Sequence, residues 1–237
     1  MKLKPFVKSK KLLNIDNNAK TIKGQKYGYK TAILYLAPSN LSGFNVCPMA
    51  SKGCKASCLN TSGHGAFSNV QLGRINKTRW FIQERESFLK QLIKEINNHV
   101  INCNKKGFIP CIRLNGTSDI SFENFGIMEQ FPNVQFYDYT KVYKRALKFV
   151  NGDMPKNYHI TYSLNEDNKK EAFNILKLGG NISAVFRKFL PKEFKSFKVI
   201  DVDLSDLRFK DPLNSICGLV AKGKAKQDYS GFVLDVN

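Results

Sequence analysis

The sequence has no long apolar stretch and no low-complexity tract. None of its runs approaches the roughly 18 consecutive apolar residues that a membrane-spanning helix needs. Its N-terminus also lacks the apolar core of a secretory signal. Hydrophobic residues make up 42% of the 237 residues, a composition typical of a globular protein. These features predict a cytoplasmic protein with no membrane partner.

Acidic residues are scarce: 19 Asp and Glu stand against 38 Lys and Arg, for a net charge of +19. Such an imbalance favours a polyanionic partner, most simply a nucleic acid or a nucleotide bound at the basic surface. The basic residues are densest in residues 2–30 and 222–226. No known nucleic-acid-binding motif accompanies the charge, so lysines that only keep the surface soluble explain it equally well.

Cysteines are few, but three of the six lie close together as Cys47, Cys54 and Cys58, with the spacing C-x6-C-x3-C. Pro48 and Gly53 interrupt any apolar period, so this stretch is predicted to be a loop without helix or strand. Thiolates bind zinc or iron–sulfur clusters. A [4Fe–4S] cluster can use three thiolates and leave one iron open, whereas zinc would take a fourth ligand, for which His64 is close enough in sequence.

The alternative for these cysteines is burial as small hydrophobes, or a disulfide. Buried cysteines usually lie in apolar runs, and disulfides need an oxidising compartment, so a metal or cluster loop is favoured. Cys103 and Cys111 fit structural roles. Cys217, beside Gly218 at the start of an apolar segment, is a candidate fourth ligand.

Strand and helix patterns alternate along most of the chain. Short apolar strands are predicted at 31–38, 108–114, 133–139, 158–163, 182–186 and 199–203, and amphipathic helices at 68–100, 141–149 and 167–178. This alternation indicates βα units and a parallel sheet. The predicted fold is α/β, a partial (βα)6 TIM-like barrel with a cysteine-rich loop after the first core strand; a doubly wound sheet is the alternative. Residues 1–30 are predicted to form a basic arm and residues 31–237 a single domain.

Polar residues follow the predicted strands, where parallel βα folds place their functional groups. The proposed catalytic residues are Asp119, Tyr139, Lys141 and Ser163, with Asp119 and Lys141 as a proton-transfer or anion-binding pair. The proposed cofactor-binding residues are Arg113, Asn115 and Thr140. Asp119 is equally suited to capping a helix that begins near Ser121.

Several stretches together resemble a known family. They are Asn18-Ala19-Lys20-Thr21 with Lys23-Gly24, Tyr35-Leu36-Ala37-Pro38 leading through Ser42-Gly43 into the cysteine loop, Arg74-Ile75-Asn76-Lys77-Thr78, Tyr137-Asp138-Tyr139-Thr140-Lys141, and the ending Gly218–Lys226 with Ser230-Gly231-Phe232-Val233. The sequence is similar to the "gene product 88"-like proteins of bacteriophages. This resemblance covers most of the chain and implies a phage protein that works in the cytoplasm of the bacterial host. It does not imply a reaction.

A second resemblance is architectural. Radical SAM enzymes also place a three-cysteine loop after the first strand of a partial (βα)6 barrel, where it binds a [4Fe–4S] cluster. Their loop reads C-x3-C-x2-C, and they carry a glycine-rich segment after the second strand, where this chain has Asn115-Gly116-Thr117-Ser118-Asp119. The resemblance implies a cluster, with SAM as a candidate cofactor.

Two functions are therefore expected from the sequence. The first is an iron–sulfur protein, an enzyme of radical-SAM-like type that acts on a small anionic or nucleotide-type substrate. The second is a non-catalytic, basic nucleic-acid-binding protein whose cysteines hold structural zinc.

Overall fold

The computed structural model describes residues 3–16 and 18–236. Its strands are β1 (Leu13–Ile15), β2 (Tyr29–Leu34), β3 (Ile109–Arg113), β4 (Gln135–Thr140), β5 (Tyr158–Ser163), β6 (Ile182–Phe186), β7 (Glu193–Phe194), β8 (Phe197–Asp201), β9 (Ile216–Val220) and β10 (Val233–Leu234). Its helices are α1 (Ala19–Gly24), α2 (Lys52–Ala56), α3 (Ser68–Gln83), α4 (Arg85–Lys105), α5 (Ile127–Gln130), α6 (Tyr143–Val150) and α7 (Lys169–Lys177). The same residues contain no helix that is both long enough and apolar enough to cross a membrane.

All ten strands belong to one sheet, in the order β1-β2-β3-β4-β5-β6-β9-β8-β7, with β10 paired to β6. Strands β2 to β6, β9, β8 and β10 pair in parallel, whereas β1 and β7 join antiparallel at the two edges. The predicted α/β class with a parallel sheet is therefore confirmed. Between the edge strands β1 and β7 the described sheet stays open, so it is not a closed barrel.

The long helices cover only one face of this sheet. Side chains of α3 and α4 pack on β2 to β5 in one apolar cluster, and those of α6 and α7 pack on β5, β6 and β9 in a second. The strand register places Ile112, Phe136 and Tyr158, and then Tyr162, Ile182 and Ile216, on that common face. A doubly wound sheet would carry helices on both faces.

The opposite face, here called the inner face, is strongly polar. Side chains alternate along a strand, so Arg113, Tyr137, Tyr139 and Thr161 share this face. The segment after β8 lies over it: Arg113 Nη1 is 3.2 Å from Asp206 Oδ2, and the Tyr137 hydroxyl donates to the same oxygen at 3.0 Å. The sheet therefore has an apolar helix-covered face and a polar inner face.

Part of residues 1–30, predicted to form a basic arm, belongs to the sheet. Leu12 and Leu13 are fully buried in the core, and β1 pairs with β2. Their backbone N–H groups donate to the Glu95 carboxylate of α4 at 2.8–2.9 Å. Two leucines among lysines are too short a signal for a strand, and the partner carboxylate is distant in sequence.

The predicted helix over 68–100 is two helices, α3 and α4, separated at Glu84. Glu84 has φ −135° and ψ 59°, outside the helical region. Trp80 and Phe81 of α3 pack against Phe88 of α4, with ring centroids 5.3–5.4 Å apart. Because both helices bury their apolar residues in the same core, the apolar period continues across Glu84 and does not reveal the break.

Candidate functional site

A cavity of about 680 Å³ lies at the carboxyl ends of the parallel strands. The structure brings together there the three loop cysteines and all the predicted polar residues of the strand ends. They are Cys47, Cys54, Cys58, Arg113, Asn115, Asp119, Tyr139, Thr140, Lys141 and Ser163. Residues from four separate segments thus face one space large enough for a cofactor or a small substrate.

The three cysteines are free and half-buried. The backbone N–H of Ser39 donates to Cys47 Sγ at 3.3 Å, a contact that stabilises a thiolate. Burial raises the pKa of Cys47 to about 11 and also raises the pKa of Cys58, where the nearby cations of Lys141 and Arg74 oppose it. Both thiols are therefore protonated at neutral pH, and metal binding would have to release those protons.

The thiols share the cavity without converging on one point. In residues 3–16 and 18–236 no group of three or more His, Cys, Asp or Glu side chains is placed to hold a metal ion. The donor set is nevertheless chemically suited to a soft metal centre, because it consists of thiols on a polar loop.

The cysteine segment, predicted to lack helix, contains the short helix α2, and Cys54 lies within it. Ser51 caps α2: its Oγ accepts the Cys54 N–H at 3.2 Å. Glu166, after β5, holds this turn by accepting from Ser51 Oγ at 2.7 Å and from the Gly53 N–H at 2.6 Å. The sequence did not predict α2 because a helix of five residues is too short to show an apolar period.

Gly53 fits closely between Glu166 and the C-terminal segment. A Cβ at this position would lie 2.7 Å from Phe232 Cβ, 2.9 Å from Glu166 Oε1 and still closer to Ser230 Oγ. We expect Gly53→Ala to lower the free energy of unfolding by about 1–3 kcal/mol, since overpacking forces neighbours apart. Urea unfolding monitored by circular dichroism measures it.

Gly73→Ala is the matched control, because Gly73 lies in α3 with open space where the Cβ would be. The same substitution there should raise the free energy of unfolding by about 0.5–1 kcal/mol. Equal changes at both positions would contradict close packing at Gly53.

Lys141, just after β4, points its amine at Ser163, the last residue of β5. Lys141 Nζ donates to Ser163 Oγ at 2.7 Å and lies 5.8 Å from the centroid of the Phe232 ring. Across the described part of the chain its amine has no carboxylate within ion-pair distance. This cation therefore faces the cavity with only a neutral hydroxyl as partner.

The Asp119 carboxylate binds the backbone N–H of Lys141, whereas the Lys141 amine binds Ser163. Its Oδ2 accepts the Lys141 N–H at 2.7 Å, and its Oδ1 accepts from Thr140 Oγ1 at 2.7 Å and Arg145 Nη1 at 2.6 Å. The Asp119 N–H donates to the carbonyl of Val46, one residue before Cys47, at 2.8 Å. Asp119 thereby ties the cysteine loop to the end of β4.

Arg113, Tyr139 and Asn115 form the floor of the cavity. The Arg113 guanidinium lies over the Tyr139 ring, 4.8 Å from its centroid, and its buried Nε has no hydrogen-bond partner. Burial raises the pKa of Tyr139, so its phenol stays protonated. Asn115 stabilises the turn that follows it: its Oδ1 accepts from Ser118 Oγ and the Ile120 N–H, both at 2.8 Å.

Two predicted ligands lie outside the cavity lining. Cys217 is buried in β9 with its thiol 3.4 Å from Asp211 Oδ2, and burial raises its pKa to about 12. The His64 ring packs edge-on against Phe67, with centroids 5.5 Å apart. The structure does not bring either residue to the three cysteines.

The cavity residues outside the predicted set include Lys20 of α1, Asp203 after β8, and Lys222 and Phe232 from the C-terminal segment. The Asp203 carboxylate lies 2.5 Å from Lys20 Nζ and 3.1 Å from Lys222 Nζ. Lys20, Lys222 and Phe232 lie in the stretches that resemble the phage family. No local sequence pattern marked any of the four as a site residue.

Asp138 is a buried carboxyl beneath the site. It accepts from the Asn115 N–H at 2.8 Å and the Tyr158 hydroxyl at 2.9 Å, and burial raises its pKa to about 6. Because the folded state holds this proton more tightly than the unfolded chain does, the carboxyl contributes stability below about pH 4 that is lost as the pH rises through about 6.

We expect Asp138→Asn to remove this loss, which is on the order of 3 kcal/mol for a two-unit shift. The stability of the variant relative to wild type should thus improve between pH 4 and pH 7, as measured by urea unfolding at each pH. Asp153→Asn, at an exposed position, is the control. A constant difference between Asp138→Asn and wild type would refute the raised pKa.

Fold and site define an α/β protein with an open, mostly parallel sheet and a cysteine-lined cavity at its carboxyl edge. The family model for Gene product 88 matches residues 9–235. The chain therefore belongs to the Gene product 88 family, as its motifs indicated, and is a bacteriophage-type protein. No curated protein and no solved structure matches it.

Proposed function

We propose that Cys47, Cys54 and Cys58 bind a [4Fe–4S] cluster at the mouth of a partial (βα) barrel. The observation that supports this most is that the three free thiols of one segment all line a single cavity at the carboxyl edge of the sheet. Functional groups of parallel βα folds gather at this edge. The consecutive order β2 to β6 and the one-sided helices agree with a partial barrel.

The arrangement of the thiols favours a cluster over zinc. Tetrahedral zinc with Zn–S bonds of about 2.3 Å requires its sulfurs within about 4 Å of each other. The described side chains offer no such single-ion group. A [4Fe–4S] cluster can use three thiolates, whereas zinc would take a fourth ligand, and neither His64 nor Cys217 lines the cavity. The Ser39 N–H donates to the Cys47 sulfur, a contact that would stabilise a bound thiolate.

The residues beside the proposed cluster would bind an anionic group. Lys141 supplies the cation, Ser163 the adjacent hydroxyl, and Arg113 a guanidinium that Asp206 and Tyr139 hold in place. Asp119 positions Lys141 by accepting its backbone N–H, and the Thr140 hydroxyl in turn donates to Asp119. When bound, a [4Fe–4S] cluster with one open iron supplies a coordination site and an electron, which is the radical-SAM-like type of chemistry.

The test is electron paramagnetic resonance of the reduced, anaerobically prepared protein with and without SAM. A [4Fe–4S] signal that SAM shifts supports the open iron and the enzyme class. A cluster signal that ignores SAM would leave an iron–sulfur protein and reject SAM chemistry. Absence of any cluster signal would overturn the proposal.

The second candidate remains a nucleic-acid-binding protein with structural zinc, which the net charge of +19 favours. It predicts about one zinc per chain and no colour. Binding to nucleic acid should then require the zinc and fall linearly with salt on a log–log plot.

A further inference from the structure

The C-terminal basic segment forms one wall of the cavity. Lys222, Ala225 and Phe232 line the cavity, and Gly223, in a left-handed conformation with φ +55°, lies against the Ser62 side chain of the cysteine segment. The turn over residues 226–231 therefore connects two residues that line the cavity.

An exposed aromatic ring dominates this segment. Tyr229 is 83% exposed, the most exposed large hydrophobic side chain of the described residues. The Arg187 guanidinium lies 4.6 Å from the centroid of its ring and also donates to the carbonyls of Lys226, at 3.1 Å, and Asp228, at 2.7 Å. Arg187 thus fixes both the turn and one side of the ring, so that Tyr229 is held in place while most of it faces solvent.

The segments that carry Tyr229 and its partner Arg187 are basic. Lys188, Lys224 and Lys226 are exposed, and none lies within ion-pair distance of a described carboxylate. Asp228, the residue before Tyr229, is buried and accepts from Ser230 Oγ and the Val233 N–H, and the Asp235 carboxylate is paired with Arg187. A fixed, exposed ring on a basic segment is an arrangement that binds unpaired bases by stacking and their phosphates by charge.

We propose that Tyr229, with Lys188, Lys224 and Lys226, binds single-stranded nucleic acid and leads it to the cavity. Binding of nucleic acid to these four residues does not require the cluster. Delivery of a nucleotide to Lys141 and Ser163 rests on the proposed function. Duplex nucleic acid is not the expected partner, because its bases are stacked on each other and cannot cover the ring.

The test is fluorescence anisotropy with a labelled oligo(dT) of about 20 nucleotides, longer than a typical single-strand site. Tyr229→Ala should weaken binding roughly 5- to 100-fold, the range for one lost stacking contact. Tyr27→Ala is the matched control, because Tyr27 is also exposed, at 59%, but precedes β2, which is separated from β6 and its partner β10 by three strands. It should leave affinity unchanged.

Replacing Lys224 and Lys226 together with alanine should reduce the slope of log affinity against log salt by about 1.4, at about 0.7 per phosphate contact. The control pair, Lys105 and Lys106 at the end of α4, should leave the slope unchanged. Equal losses in Tyr27→Ala and Tyr229→Ala, salt-independent binding, or equal affinity for duplex DNA would each overturn the inference.

The Cys54→Ala variant separates the two proposals. Retained oligo(dT) binding in a variant without chromophore supports a surface that acts independently of the cluster. Normal binding by Tyr229→Ala with an intact chromophore rejects the surface and leaves the cluster standing. A colourless wild-type protein that binds oligo(dT) through Tyr229 rejects the cluster alone.

Discussion

Replacing Cys54 with alanine is expected to abolish the brown chromophore of the anaerobically purified protein. Cys54 lies in α2 between the two other thiols, and the cavity offers no further cysteine among the residues that line it. Two thiolates cannot hold a [4Fe–4S] cluster that needs three, so bound iron should fall at least tenfold. Absorbance near ~400 nm and iron analysis measure the loss.

Cys103→Ala is the control, because it removes a thiol buried against His99 in α4 rather than one at the cavity. This variant should keep the spectrum and the iron content. An unchanged spectrum in Cys54→Ala, or equal loss in both variants, would contradict the assignment of the loop cysteines as ligands.

The second large effect is expected at Arg145, on stability. Its guanidinium binds Asp119 at 2.6 Å and Glu123 at 2.8 Å, and the three side chains are only 5–10% exposed. Arg145→Ala leaves two buried carboxylates without their cation. Loss of one partner from a buried ion pair costs about 3–5 kcal/mol. The free energy of unfolding, from urea titration, should fall by this amount, a large share of a typical domain's stability.

Lys144→Ala tests the neighbouring position, which is exposed on the same helix. A change within about 0.5 kcal/mol is expected there, as for most surface substitutions. If Arg145→Ala cost no more than Lys144→Ala, the network around Asp119 would not hold the strand ends together.

Much of the sheet could be predicted from the sequence because its strands are short apolar runs separated by polar breaks. The β5 strand has the predicted limits, 158–163, and β6 the predicted limits, 182–186. The order of strands along the sheet could not be predicted from periodicity. It depends on pairing between strands that are distant in sequence, such as β6 with β9 and β10.

The candidate site was partly predictable for a different reason. Parallel strands bring their carboxyl ends to one edge, so Arg113, Tyr139, Lys141 and Ser163 could be placed together from strand positions alone. Partners from distant segments could not. Arg145 holds Asp119 from within α6, and Glu166 anchors α2 from beyond β5. Their roles follow from tertiary contacts that leave no local pattern.

Chemical analysis of the wild-type protein, purified without oxygen, tests the central claim most directly. About four irons and four acid-labile sulfides per chain, with a broad absorbance near ~400 nm, are the predicted result. About one zinc per chain, with no sulfide and no colour, would contradict the cluster and make the cysteine site structural.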